Sequence, residues 1–340
     1  MNGLCIRAFI AGIVFAFGGV AFSQVSSSDS QQVDPSSLPA VAGPNRPANV
    51  PGEYVITPFG YFHPSCVRSL AKGERQMADG RVQHADGSVE EPVTVCSYPH
   101  YMRGGIRTKA GSAQTTTPEA GITESTPSST FSGWVESASI TTGSPSQSYG
   151  AMIGTWTVPP QPVADDGQVL YFFLGFEDIN HVESIIQPVL GWYQGHWTIA
   201  GWNCCINGVV TNSPFVNVSS GDEIYGSVTS SCPAGTLSCA TWNVLTLDMS
   251  TGESTTLSNT PSAGQIFNWA FGGVLEVYYV STCDDYPSDG RLSFDQIRVF
   301  DQNLHPVLNP KWGEAAVPST IQPQCGYEVE PRRRVVTLEY

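Results

Sequence analysis

The sequence predicts an all-β fold: a two-sheet antiparallel β-sandwich of the jelly-roll kind, preceded by a mostly irregular N-terminal segment. Three observations predict it. From residue 131 to about 301, short runs rich in Val, Ile, Thr, Trp and Tyr alternate with Gly/Asn/Ser/Pro turns. Long helical periodicity is missing from that stretch. The chain also holds an even set of cysteines once an N-terminal leader is set aside, the mark of an exported domain cross-linked by disulfides.

The strand-like runs follow in order as 151–158, 169–176, 184–192, 223–229, 241–249, 273–280 and 296–300. About 170 residues is ample for a two-sheet core. In front of them, residues 1–23 carry Arg7, an apolar run over 8–22, and small residues Ala21 and Ser23. That is the pattern of a secretory signal peptide. The run is short for a spanning helix, and no basic stop-transfer cluster follows it. The expected locations are therefore extracellular, or periplasmic in a Gram-negative cell, with no membrane association after cleavage. Residues 24–52 read as a Ser/Pro/Ala/Gln-rich linker. Residues 53–130 read as a propeptide-like segment, with turn signals Asp79-Gly80 and Asp86-Gly87, that ends in a Ser/Thr/Pro-rich linker over 111–130. The sandwich is assigned to 131–302, and 303–340 to a C-terminal extension.

Cys5 lies in the leader, which leaves Cys66, Cys96, Cys204, Cys205, Cys232, Cys239, Cys283 and Cys325 as disulfide candidates. Connectivity stays open, with Cys66–Cys96 and Cys232–Cys239 as the local choices. No CxxC pair exists and no cysteine stands at ligand spacing from a histidine, so neither metal nor cofactor is expected. The net charge is −15, and Lys72, Lys109 and Lys311 are the three lysines. Nucleic acid is excluded as a partner on that ground. Charged residues make up only 13% of the chain. Such a surface does not depend on lysine–carboxylate pairs and suits an acidic milieu.

The usual nucleophile and metal signatures are missing: no GxSxG, no HExxH, no Asp-Thr/Ser-Gly. What stands out is two polar residues inside apolar strands. Gln187 lies in Ser184-Ile-Ile-Gln-Pro-Val-Leu-Gly-Trp192, and Glu276 in Gly272-Gly-Val-Leu-Glu-Val-Tyr-Tyr-Val280. Alternation puts Gln187 on a face with Ile185 and Val189, and Glu276 with Val274 and Tyr278. A carboxylate among such neighbours either lines a cleft or is costly to desolvate. The plainer alternative is an edge-strand glutamate facing water and a buried glutamine bonded to backbone.

The order of segments resembles the eqolisin-type glutamic peptidases. Ser132-Gly-Trp134 followed by Ile153-Gly-Thr-Trp-Thr-Val-Pro159 is similar to their opening, Phe173-Leu-Gly-Phe-Glu177 to their "WVGID" strand, and Ser184-Ile-Ile-Gln187 to the segment with the catalytic glutamine. Ser220-Gly-Asp-Glu-Ile-Tyr-Gly-Ser-Val228, the Thr251-Gly-Glu253 turn and Asn268-Trp-Ala-Phe-Gly-Gly-Val-Leu-Glu276 continue the series, the last falling where the family carries its catalytic glutamate. The resemblance covers roughly residues 131–301. It implies a concanavalin-like sandwich, a propeptide, acidic working pH and a polypeptide substrate. Glu276 would be the general base and Gln187 the oxyanion-stabilising amide, without metal or covalent intermediate. Trp134, Glu177, Trp192 and Trp197 are the expected substrate-binding residues, and a monomer is expected.

The departures are Phe173 and Glu177 for the family's Trp and Asp, Gln187-Pro188-Val189 for its "QtG", and Gly272-Gly273 interrupting the last strand. The Gly-Gly also resembles the neprosin-type glutamic peptidases, in which Glu183 or Glu177 would take the place of Gln187. Two other readings compete. One is a non-catalytic, lectin-like module that binds glycans through exposed Trp192, Trp197 and Trp202. The other is a glycosidase using Glu177 and Glu183, which stand about 20 Å apart on a continuous strand and so need a bend.

Overall fold

The computed structural model describes residues 38–40, 46–77, 79–91, 95–111, 130–180 and 185–340. The expected signal peptide, most of the 24–52 linker, residues 112–129 and Glu183 lie outside the described residues.

Among the described residues the N-terminal part forms short strands, β1 (Val55–Thr57), β2 (Gly60–Phe62), β3 (Val67–Ser69), β4 (Arg75–Gln76), β5 (Val82–Gln83) and β6 (Val89–Glu90), and one 3₁₀ turn at Pro64–Cys66. The sandwich begins with β7 (Phe131–Thr141), β8 (Tyr149–Thr157), β9 (Val169–Glu177), β10 (Ile185–Tyr193) and β11 (His196–Cys204). Next come β12 (Val210–Asn212), β13 (Val216–Val218), β14 (Glu223–Ser230), β15 (Thr241–Asp248) and β16 (Ser254–Pro261). The long β17 (Trp269–Val280) and β18 (Arg291–Asp301) precede β19 (Gly313–Ala316), β20 (Glu328–Arg332) and β21 (Val335–Glu339). One sheet runs β19-β7-β17-β9-β10-β11-β12-β3, with β13 also paired to β11, and the other runs β16-β15-β14-β8-β18-β21-β20. The all-β sandwich expected from the sequence is therefore the observed fold.

The two sheets differ in pattern, and burial explains why. Strands β14, β15, β16 and β18 alternate between buried and more exposed residues, because one face meets the core and the other meets water. Every residue of β9, β10 and β17 is buried. Their two faces serve two cores. Phe172, Leu174, Ile186, Leu190, Leu275 and Val277 face the second sheet, in the core of the sandwich. Tyr171, Phe173, Val189, Val274 and Tyr278 face away from it, into a second cluster with Tyr54, Ile56, Phe59, Tyr61 and Phe62 of the N-terminal segment. The apolar runs in the sequence are continuous because the N-terminal segment covers the outer face.

Residues 303–340 are no appendage. β19 pairs with β7 in one sheet and β21 with β18 in the other, so the sandwich continues to the last strand. The boundary expected near residue 302 is corrected on that ground; charged and Pro-rich residues between these strands hide them from a periodicity search. Among the described residues four disulfides join Cys66–Cys96, Cys204–Cys205, Cys232–Cys239 and Cys283–Cys325. The two local choices from the sequence are both present. The last bridge closes a separation of 42 residues and ties the C-terminal strands to the exit of β17. Replacing Cys283 and Cys325 together by serine is expected to lower the unfolding free energy by about 2–4 kcal/mol. An unchanged urea midpoint for that variant would contradict this account.

Candidate active site beneath the N-terminal segment

Gln187 and Glu276 lie on the same face of the same sheet, the one covered by the N-terminal segment. Both are fully buried. β9 runs between their strands. Glu276 stands opposite Tyr171 of β9 and, on its other side, opposite Trp134 of β7. Gln187 rests against Gly175 of β9, where an added Cβ would meet Gln187 Cβ at 3.0 Å. Gly175 and Tyr171 are two pleats apart, about 13 Å along a strand. The two side chains thus share a face, with their strand positions offset by four residues along β9. The Gly272-Gly273 interruption contributes to this offset. It shifts the register of β17 against both neighbours. Its glycines are required by packing: added Cβ atoms would come within 2.9 Å of the Trp312 ring and 2.7 Å of the Phe294 ring.

Glu276 is heavily coordinated. Trp134 Nε1 donates to Oε2 at 2.7 Å and Tyr278 Oη donates to Oε1 at 2.6 Å. Arg103 Nη2 donates to Oε2 at 2.7 Å, and its Nε stands 2.6 Å from Oε1. The guanidinium also lies 5.1 Å from the centroid of the Trp134 ring, in cation–π contact. Burial alone works against the Arg103 charge, but Glu276 foremost, with Tyr278 and Glu177, holds it above its ordinary range. Burial also pushes the Tyr278 and Tyr171 hydroxyls well above theirs, and the Glu276 charge adds to both shifts.

The backbone of residues 56–58 crosses directly above. Tyr171 Oη reaches the Ile56 carbonyl at 3.5 Å, Tyr278 Oη the Thr57 carbonyl at 2.9 Å, and Arg103 Nη2 the Pro58 carbonyl at 3.3 Å. Tyr278 therefore has two acceptors, Glu276 and the Thr57 carbonyl, for one phenolic proton. A bulge at the end of β17 supports this arrangement. The register shifts between Val277 and Val280, and Tyr279 takes a left-handed backbone, φ 63°. That conformation is costly for a bulky residue. It puts consecutive tyrosines on one face, so that Tyr278 and Tyr279 both pack on Tyr61.

The other expected site residues divide sharply. Trp134 is at the site, bonded to Glu276. Glu177 is buried on the same face at the far end of β9, opposite Trp269 and Ile185. Trp192 and Trp197 are corrected. Strand parity turns both to the opposite face, into the core between the sheets, with ring centroids 5.2 Å apart. Neither can touch a substrate on the Glu276 face. Trp202 is on the correct face but lies buried beneath Phe59, so the exposed tryptophan trio needed for a lectin-like surface does not exist. Two open concavities, of about 640 and 670 Å³, lie elsewhere and are lined by neither Gln187 nor Glu276. Arg103, Tyr171 and Tyr278 were not singled out from the sequence. Nothing in the sequence separates Arg103 from its neighbours Arg107 and Lys109.

Among the described residues no cluster of side chains suited to a metal ion is found. No family model matches the sequence, and no curated protein matches it. Among solved structures, the chain is similar to a scytalido-glutamic peptidase with a peptide-based transition-state analogue, at 17% identity and a TM-score of 0.47, over 62% of this chain and 99% of that one. It is similar also to SCP-B, a member of the eqolisin family of peptidases in a complex with the tripeptide Ala-Ile-His, at 17% identity and a TM-score of 0.46 over the same shares. A weaker likeness, 14% identity and a TM-score of 0.34 over 51% of this chain and 98% of that one, links it to aspergilloglutamic peptidase from Aspergillus niger.

Proposed function

We propose that this chain is a secreted, acid-acting glutamic endopeptidase held in a covered, zymogen-like form. One observation carries the reading: a fully buried carboxylate, Glu276, lies directly beneath a stretch of polypeptide whose carbonyls are held by hydroxyl and guanidinium donors at the same site. Once the N-terminal segment leaves, Arg103 leaves with it. Glu276 then takes a proton from water, and the water oxygen attacks the scissile carbonyl carbon. The Tyr278 hydroxyl, which already meets a peptide carbonyl, donates to the oxyanion. Glu276 returns the proton to the leaving nitrogen as the C–N bond breaks, which regenerates the carboxylate. Gln187 fits a different place from the one the family resemblance gives it. With both amide atoms unpartnered, it is suited to hold substrate main chain further along the face.

Secretion is supported by the leader pattern and by four disulfides among the described residues. Acid action is supported by a surface that does not depend on lysine–carboxylate pairs, in a chain with three lysines and 13% charged residues.

The test is cleavage of denatured protein over a series of acidic pH values by full-length wild type, Glu276→Gln, Gln187→Ala and Arg103→Ala. Glu276→Gln is expected to lose about 10²–10⁴-fold in rate. Gln187→Ala should raise KM more than it lowers kcat, and Arg103→Ala should shorten the lag before cleavage begins. Full activity in folded Glu276→Gln would end the glutamic reading. Absence of cleavage by every form would leave a peptide-binding groove.

A further inference from the structure

We infer that Trp202 forms the aromatic side-chain subsite of the substrate track, and that the protein selects polypeptides that place a phenylalanine or tyrosine over it. The inference rests on the peptidase reading for its location, but its chemistry is that of binding. Residues 55–62 lie over the face as a hairpin, β1 and β2 paired with Thr57 opposite Gly60 and Pro58-Phe59 forming the turn at its tip. The carbonyls of Ile56, Thr57 and Pro58 are held above the Glu276 site, and the next side chain, Phe59, points to the neighbouring strands. Its ring meets Trp202 edge-on, centroids 6.0 Å apart and planes at 69°. Phe215 closes the other side of Trp202 at 5.7 Å. Trp202 is directly opposite Gln187 on β10, so the unpartnered amide lies in the floor of the same pocket.

Two features make this a built pocket rather than incidental packing. First, the edge-on geometry selects for a ring, because an aromatic edge meets the face of another with favourable charge distribution and an aliphatic chain does not. Second, Gln187 is fully buried with neither amide atom bonded while Phe59 is present. A buried amide left unsatisfied is unfavourable, and a peptide backbone or a tyrosine hydroxyl would relieve that cost where Phe59 does not. The covering segment thus fills the aromatic subsite imperfectly, as a removable occupant should.

The experiment uses the full-length chain carrying Phe59→Ala and Arg103→Ala, which weaken the resident segment without altering the sheet. Binding of a fluorescent peptide with the sequence of residues 55–61, Val-Ile-Thr-Pro-Phe-Gly-Tyr, is followed by anisotropy beside the same peptide with alanine for phenylalanine. Hydrogen exchange over residues 54–62 reports whether the segment has lifted. The phenylalanine peptide is expected to bind about ten-fold or more tightly than the alanine peptide. Adding Trp202→Ala to the chain should erase that difference. Equal binding of the two peptides, a preference that survives Trp202→Ala, or an open face that binds neither peptide would overturn the inference. So would unchanged exchange protection after Phe59→Ala, since Phe59 would then contribute nothing to the hold. Selective binding with no cleavage by any form would sink the peptidase reading and leave the subsite standing.

Discussion

Glu276→Leu in the full-length chain is expected to lose about 3–5 kcal/mol of unfolding free energy, the cost of leaving a buried cation without its partner. Arg103 is only 6% exposed, and the carboxylate is its charged neighbour in the site. Among its other contacts, the Pro58 carbonyl and the Trp134 ring carry no negative charge. The double variant Arg103→Met/Glu276→Leu should recover most of the loss, because it removes the charge along with the need to neutralise it. Urea denaturation of wild type, both single variants and the double variant closes the cycle. A Glu276→Leu protein as stable as wild type would mean that water reaches Arg103, and the covered site would then be open in solution.

Glu136→Gln should stabilise the protein at neutral pH by about 3 kcal/mol while leaving it unchanged near pH 4. Glu136 sits on β7 opposite Leu275 and Ala316, on the face toward the sandwich core, and neither of its oxygens meets a partner in good geometry. Burial is the main force that pushes its carboxyl from 4.5 up to about 9; the Glu328 backbone pulls the other way, and the Glu339 and Glu328 charges add to the rise. The sign follows from linkage. An acid whose pKa is raised on folding holds its proton in the folded chain when the unfolded chain has released it. Its stabilising contribution is complete below pH 4.5 and declines as pH climbs toward about 9. Glutamine imitates the protonated form and does not titrate, so the variant's stability should be flatter across that window. Parallel pH–stability curves for variant and wild type would disprove it.

The fold was legible where each strand has its own signal. The runs that became β8, β9, β10, β14 and β15 were read within two residues of their observed ends, and those that became β17 and β18 only over their C-terminal parts. β16, whose Ser and Thr residues look like a linker, was not, and neither was β19, which is fully exposed along its length. The site was legible only in part. Alternation gave Gln187 and Glu276 their face-mates within their own strands, but it does not relate one strand to another, so neither the shared face nor the offset along β9, across the bulged β9–β17 pair, was legible. Trp192 and Trp197 failed for a related reason. In a strand buried on both sides, composition does not distinguish the face that meets the second sheet from the one that meets the N-terminal segment. Arg103 was beyond reach because its partner is 173 residues away in sequence.

That separation has a kinetic consequence. Arg103 must wait for Glu276, and β3 must wait for β12, where Ser69 bonds Asn212 across 143 residues. Contacts of such long range are slow to form. The N-terminal segment has no surface to bind until β9, β10 and β17 have paired, so its docking is expected to be the closing event of folding. By microscopic reversibility it should be the first piece to detach, at a free energy below that of global unfolding. The step that completes the native state is then the same step that shuts the Glu276 face, and the chain is synthesised in the order that makes the lid wait for the box.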